Sequence, residues 1–310
     1  VKYLSLLVLL LAVFAAIYVL APGPTARSLI SLGRMAAGLE TRSVTIDSVE
    51  LHYLEGGAGP ALLMIHGFGA DKDNWQRIAR SFTDRYRVIA PDLPGFGDSG
   101  VPGDMRFDVE TQATRLIAFA EKLRLGQMHL IGSSMGGQIA TVIAARRPDL
   151  VASLALFDPL GVEQEPGVRP STIMRRLAEG ENLMLPRDRQ SFDEMLEHMF
   201  FDPPWVPGVI NRHYAQVWIS RADLLARIFS DITVNYVPLA PLLPALQMPT
   251  LVLWGVEDEI LPADGARVLT AGLEHSTLVI IPECGHLPMF EKPGLTATHY
   301  RAFLDALPGP

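Results

Sequence analysis

Gly132-Ser133-Ser134-Met135-Gly136 decides the reading of this chain. The stretch fits G-x-S-x-G, and its surroundings suit the motif. Met128-His129-Leu130-Ile131 before it reads as a strand, and residues 137–145 after it read as a helix. A serine on a sharp strand-to-helix turn is the geometry an exposed nucleophile needs. The glycines let the backbone turn tightly, and the helix N-terminus that follows favours developing negative charge. The plain alternative is a glycine-rich turn without chemistry, so the rest of the chain must supply partners.

It does. A serine nucleophile needs a base, and the base needs an orienting acid. Residues 250–255 and 276–282 read as buried strands. The first is followed by Val256-Glu257-Asp258, the second by Glu283-Cys284-Gly285-His286. Among the eight histidines, only His286 follows the last strand in a glycine-containing loop, so it is the expected base. Asp258 is the expected acid. Its neighbours Glu257 and Glu259 read as solvated loop charge, and Asp158, after the strand at 152–157, is the main rival. Residues 61–65 form a further strand running into His66-Gly67-Phe68-Gly69. Backbone N–H groups of Phe68 and Met135 are the expected oxyanion donors.

Strands alternating with helices predict an α/β chain with a mostly parallel sheet and helices on both faces. Residues 44–46 and 50–54 read as a hairpin around Asp47-Ser48, residues 110–125 and 293–307 as helices. The exception is residues 160–248, too long for a bare loop between two core strands. This segment is expected to form a helical cap over Ser134. Ser191-Phe192-Asp193-Glu194 within it fits a capping box. Met195, Met199, Phe200, Phe201 and Trp205 are candidate substrate-binding residues, since adaptable methionines and aromatics suit flexible acyl chains.

At 310 residues the chain can bury a sizeable core. A net charge of −8 argues against nucleic-acid binding. The single cysteine, Cys284, rules out an intrachain disulfide. No clustered ligand spacing calls for a metal or cofactor.

Residues 3–26 carry no charge, and residues 4–21 are almost wholly apolar, near the roughly 20 residues that cross a bilayer. Residues 1–24 are therefore expected to be a transmembrane anchor. A cleavable signal peptide is the alternative, opposed by Pro22 and by the length of the run. Ala12 and Ala16 make a small-xxx-small pair through which two anchors, and hence a homodimer, could pack. Residues 25–40 read as a juxtamembrane helix, with Leu29, Leu32, Ala36 and Leu39 on one face and Arg27, Ser31 and Arg34 on another. It suits either the membrane surface or packing on the catalytic domain. The expected organisation is anchor (1–24), juxtamembrane helix (25–40), first core part (41–159), cap (160–248) and second core part (249–310).

The motifs together resemble the α/β-hydrolase superfamily. They are His66-Gly67-Phe68-Gly69-Ala70-Asp71-Lys72-Asp73-Asn74-Trp75, Asp92-Leu93-Pro94-Gly95-Phe96-Gly97-Asp98-Ser99, the Ser134 turn and Cys284-Gly285-His286. In particular the chain is similar to membrane-anchored monoacylglycerol lipases and bacterial inner-membrane phospholipase A enzymes. The resemblance implies a serine hydrolase of lipid acyl esters, held in a bacterial inner membrane with its catalytic domain in the periplasm. Membrane lipids would be both substrate and anchorage. A plain Lys/Arg count around the anchor would instead favour the cytoplasm. Two rival readings stand beside it. One is a tethered carboxylesterase or carbon–carbon bond hydrolase for small molecules, which would want a polar, arginine-lined pocket. The other is a non-catalytic binding protein, which should lack part of the triad. Head group, acyl length and regioselectivity are not readable from the residues.

Overall fold

The computed structural model describes residues 22–307. Most of the expected membrane segment, with Ala12 and Ala16, lies outside the described residues. Among those described, no helix is long and apolar enough to cross a membrane. The first described element is helix α1 (Pro22–Ala36). Residues 22–24, assigned above to the anchor, belong to this helix. The helix stops short of Leu39 because Gly38 turns left-handed (φ 73°), and the Leu39 N–H closes onto the Arg34 carbonyl at 2.9 Å.

An eight-stranded sheet follows, in the order β1-β2-β4-β3-β5-β6-β7-β8. Its strands are β1 (Glu40–Ile46), β2 (Val49–Gly56), β3 (Ala61–Ile65), β4 (Arg87–Pro91), β5 (Met128–Ser133), β6 (Val151–Phe157), β7 (Thr250–Gly255) and β8 (Ser276–Ile281). Strand β2 runs antiparallel to both neighbours, and from β4 to β8 neighbouring strands are parallel. The β1–β2 turn is Asp47-Ser48, both with positive φ, the conformation that matches hairpin twist.

Both faces of the central strands are buried, and the alternation is visible in β3. Leu63 and Ile65 join the core that holds helices α2 (Val109–Lys122) and α3 (Met135–Arg146), whereas Leu62 and Met64 face the opposite core. Strand β8, read above as buried, is instead the sheet edge. Leu278 and Ile280 stand on its uncovered side and are more than two-fifths exposed.

Between β6 and β7 the chain leaves the sheet and forms α4 (Thr172–Ala178), α5 (Arg189–Met199), α6 (Gly208–Ser220) and α7 (Ala222–Val234). Helix α1 packs on α6. The capping box of α5 starts three residues earlier than the sequence suggested. Asp188 is the N-cap and Ser191 the third helical residue, each side chain bonding the other's backbone N–H. The chain returns through β7, α8 (Gly265–Gly272) and β8 to α9 (Pro293–Asp305).

Candidate active site

Strand β5 ends at Ser133 and α3 begins at Met135, leaving Ser134 alone at the turn with φ 55° and ψ −123°. That backbone is unfavourable for a residue with a Cβ and persists only when its surroundings hold it. Here the Ser134 N–H donates to the Phe157 carbonyl at 3.0 Å. Its own carbonyl accepts from Gly137 at 2.9 Å and Leu160 at 3.0 Å. The motif glycines are required sterically. A Cβ on Gly132 would lie 2.2 Å from the Gly136 carbonyl oxygen, and one on Gly136 would lie 2.2 Å from that of Ile65. Within residues 132–136 only Ser134 has appreciable exposure.

The loop after β8 brings His286 to the same place. His286 Nδ1 lies 2.7 Å from Asp258 Oδ2, and the two residues are 2% and 7% exposed. The second Asp258 oxygen accepts from the Ile260 and Leu261 N–H groups at 2.8 and 2.9 Å. A carboxylate receiving the Nδ1 proton fixes the imidazole tautomer and leaves Nε2 as the basic nitrogen. Ser134 and His286 both line one cavity of about 300 Å³. Glu257 and Glu259 have other tasks: Glu257 accepts from the Cys284 N–H, and Glu259 pairs with His198.

The expected oxyanion donors flank this cavity. Met135 opens α3, so its N–H has no acceptor one turn back within the helix. Phe68 lines the cavity beside Gly67, whose α-carbon faces the Ser134 side chain. The loop carrying Phe68 is clamped by His66. This buried imidazole takes the Leu93 N–H on Nε2 at 3.0 Å, so its Nδ1 proton goes to the Gly67 carbonyl at 2.8 Å. Burial lowers its pKa and keeps it neutral. Further along, buried Lys72 donates to Asp92 at 2.6 Å and Asp98 at 2.7 Å.

Of the five cap candidates, Met195, Met199 and Phe200 line the cavity. Phe201 and Trp205 do not. They are 52% and 83% exposed. After α5 the chain is extended at Phe200, so successive side chains point to opposite sides. Phe200 turns inward against the Phe290 ring and Phe201 outward.

One group that sequence reasoning passed over is built into the site. Glu291 bonds the Gly285 N–H beside His286 and the Asp202 N–H of the loop after α5, both at 2.8 Å. The His286 N–H itself donates to the Met199 carbonyl at 2.9 Å. Asp158, the rival acid, is fully buried and accepts from the Gly255 N–H at 2.9 Å. Burial, then the neighbouring Asp258, pushes its carboxyl well above the usual range. Asp158, Asp258 and His286 place one donor atom each within 4.8 Å of one another. Within the group only Asp258 and His286 are joined by a hydrogen bond, and Asp158 adds a buried carboxyl beside them. Cys284 is buried, which raises its thiol pKa and leaves it unreactive.

Comparison with known proteins bears on the family and the fold. The sequence profile of the alpha/beta hydrolase fold matches residues 60–293. The chain is 34% identical over 288 residues to Lipase 1 of Psychrobacter immobilis, covering 91% of this chain and 90% of that one. It is 27% identical to the human monoacylglycerol lipase ABHD6, over 95% and 90% of the two chains. Among solved structures it superposes on a membrane phospholipase A, described as a bacterial virulence factor, with TM-score 0.90 and 44% identity. That match covers 99% of this chain and 98% of the other.

Proposed function

The chain belongs to the alpha/beta hydrolase fold family, and from that premise we propose a serine hydrolase that cleaves acyl esters of lipids. One observation carries the reading. Ser134, on a strained turn, shares an apolar cavity with a histidine whose other nitrogen is held by Asp258. In the proposed reaction, Ser134 Oγ attacks the ester carbonyl while His286 Nε2 takes its proton. The Phe68 and Met135 N–H groups receive the oxyanion. His286 then protonates the leaving alcohol, and a water activated by the same nitrogen hydrolyses the acyl-enzyme. Asp258 orients the ring and stabilises its charged form.

Lipid is the favoured substrate because methionine, phenylalanine, leucine and proline make up much of the cavity wall, without lysine or arginine among its described lining residues. The small-molecule rival would want the opposite. The lipase, monoacylglycerol lipase and phospholipase relatives support the same choice. The uncharged N-terminal run is proposed as a single-pass inner-membrane anchor with the catalytic domain in the periplasm and, through Ala12 and Ala16, as a contact between two copies.

The test is Ser134→Ala. It should abolish labelling by a fluorophosphonate and lower ester turnover by at least about three powers of ten. A folded Ser134→Ala protein with near-normal turnover would refute the mechanism. Product analysis on defined phospholipids, lysolipids and monoacylglycerols then fixes the substrate.

A further inference from the structure

The lining of the Ser134 cavity is mixed in a way the acyl chain does not explain. Its polar members come from two elements: Asp71, Asp73 and Asn74 after the His66 turn, and Asn211 and Tyr214 on α6. The two sets adjoin, since Tyr214 feels the charges of Asp71 and Asp73.

Some of these groups are occupied. Asp73 takes both Arg34 donors and the Gln76 amide. Lys72 is turned to Asp92 and Asp98. Others are not. Asn74 is 9% exposed, yet among the described residues its Nδ2 donor finds no acceptor, and the buried Oδ1 of Asn211 finds no donor. Buried amide atoms are normally paired, and an orphan in a cavity wall marks where a ligand group completes it. Asp71 uses one oxygen to cap the Lys72–Trp75 turn, accepting from the Asp73 N–H at 2.9 Å. Its carboxyl is raised above the usual range by burial, then by Asp73 and Asp92.

A donor and an acceptor left open in the wall of one cavity match a hydroxyl, which is both. A phosphate offers acceptors only. It would also bring negative charge beside Asp71 and Asp73, where Arg34 and Lys72 are already paired. We propose that Asp71, Asn74 and Asn211 form a subsite for the hydroxyl-bearing alcohol part of the ester, a glycerol-type polyol, and that it selects against a phosphorylated one. The inference rests on ester hydrolysis at Ser134.

The experiment compares kcat/KM of the full-length protein on three substrates sharing one acyl chain. These are a monoacylglycerol, the corresponding lysophosphatidate and a nitrophenyl ester, whose alcohol carries no second hydroxyl. The wild type should prefer monoacylglycerol to lysophosphatidate by at least about tenfold. Asn74→Leu and Asn211→Leu should each lower the monoacylglycerol-to-nitrophenyl ratio about five- to tenfold. Asn211 is only half-buried, so its variant remains informative if Asn74→Leu folds poorly. Asp71→Asn should narrow the preference against phosphate. Equal wild-type kcat/KM on the two glycerol esters, or ratios unmoved in the folded Asn variants, would overturn the subsite. Loss of hydrolysis on none of the three substrates in Ser134→Ala would strike the serine mechanism instead.

Discussion

Asp158 and Asp258 stand at the ends of neighbouring parallel strands and converge on one imidazole, yet only Asp258 bonds it. Asp258 accepts from His286 and from two backbone N–H groups. Asp158 accepts from Gly255, and among the described residues its second oxygen meets no donor. Asp258→Asn should therefore lower kcat by about four powers of ten by holding the wrong tautomer. Asp158→Asn should cost less than about tenfold, because the amide keeps the Gly255 contact on its oxygen. Steady-state kinetics on a short nitrophenyl ester decides between them, and a reversed order would move the acid to β6.

The same pair gives a pH prediction. The Asp158 carboxyl has a raised pKa in the folded protein, by burial first and the Asp258 charge second. The unfolded chain binds fewer protons there, so stability falls as pH climbs from the ordinary carboxylate pKa toward the raised one. Asp158→Asn cannot titrate. The melting temperature of the variant minus that of the wild type should thus become more positive as pH rises above the ordinary carboxylate range. A difference that stays flat, or shrinks as pH rises, would contradict a raised Asp158 pKa.

Glu291 braces the histidine loop against the cap. Glu291→Ala leaves the buried Gly285 N–H and the Asp202 N–H without their acceptor, which should destabilise the fold by about 1–3 kcal/mol. Turnover should fall as well, through a looser His286. Thermal melting and kcat check both, and Glu291→Gln should recover part of each.

Arg34 ties α1 to the catalytic domain. Its guanidinium meets Asp73 through two bonds, at 2.7 and 2.6 Å, and Asp73 lines the cavity. Deleting residues 1–21 should cut hydrolysis of vesicle lipids by at least about tenfold through loss of tethering. It should spare a short water-soluble ester. Deleting residues 1–36 should lower both, since a buried carboxylate loses its partner. Equal losses on the two substrates after the shorter deletion would argue against a tether.

Phe200→Ala should weaken activity on long acyl chains by about three- to tenfold relative to short ones. Trp205→Ala should leave the chain-length profile as it is, because its ring stands in solvent. A chain-length series on both variants tests the assignment.

These contrasts show where the sequence was legible. The elbow, the hairpin at Asp47-Ser48 and the order of serine, acid and histidine are local patterns whose glycines or strand ends dictate geometry. Neighbours along the chain are less readable. Phe200 and Phe201 have the same chemistry, and only the extended backbone after α5 separates inside from outside. Ser191 and Asp188 both fit a cap, and the true helix start decides which one serves. Glu291 and Asn211 carry no motif, because their roles arise from partners, or missing partners, distant in sequence.

The hydrogen bond from the His286 N–H to the Met199 carbonyl has a kinetic consequence. The base and the rim of the cap are one fastened piece, with Gly285 packed so closely that an added Cβ would meet the Met199 oxygen at 2.7 Å. Lifting that rim would displace the base, so an open form of this edge would be an inactive form. Opening this edge at an oil–water interface should therefore bring no gain in activity. The enzyme's rate should climb smoothly with ester concentration, without a jump where the substrate begins to form micelles.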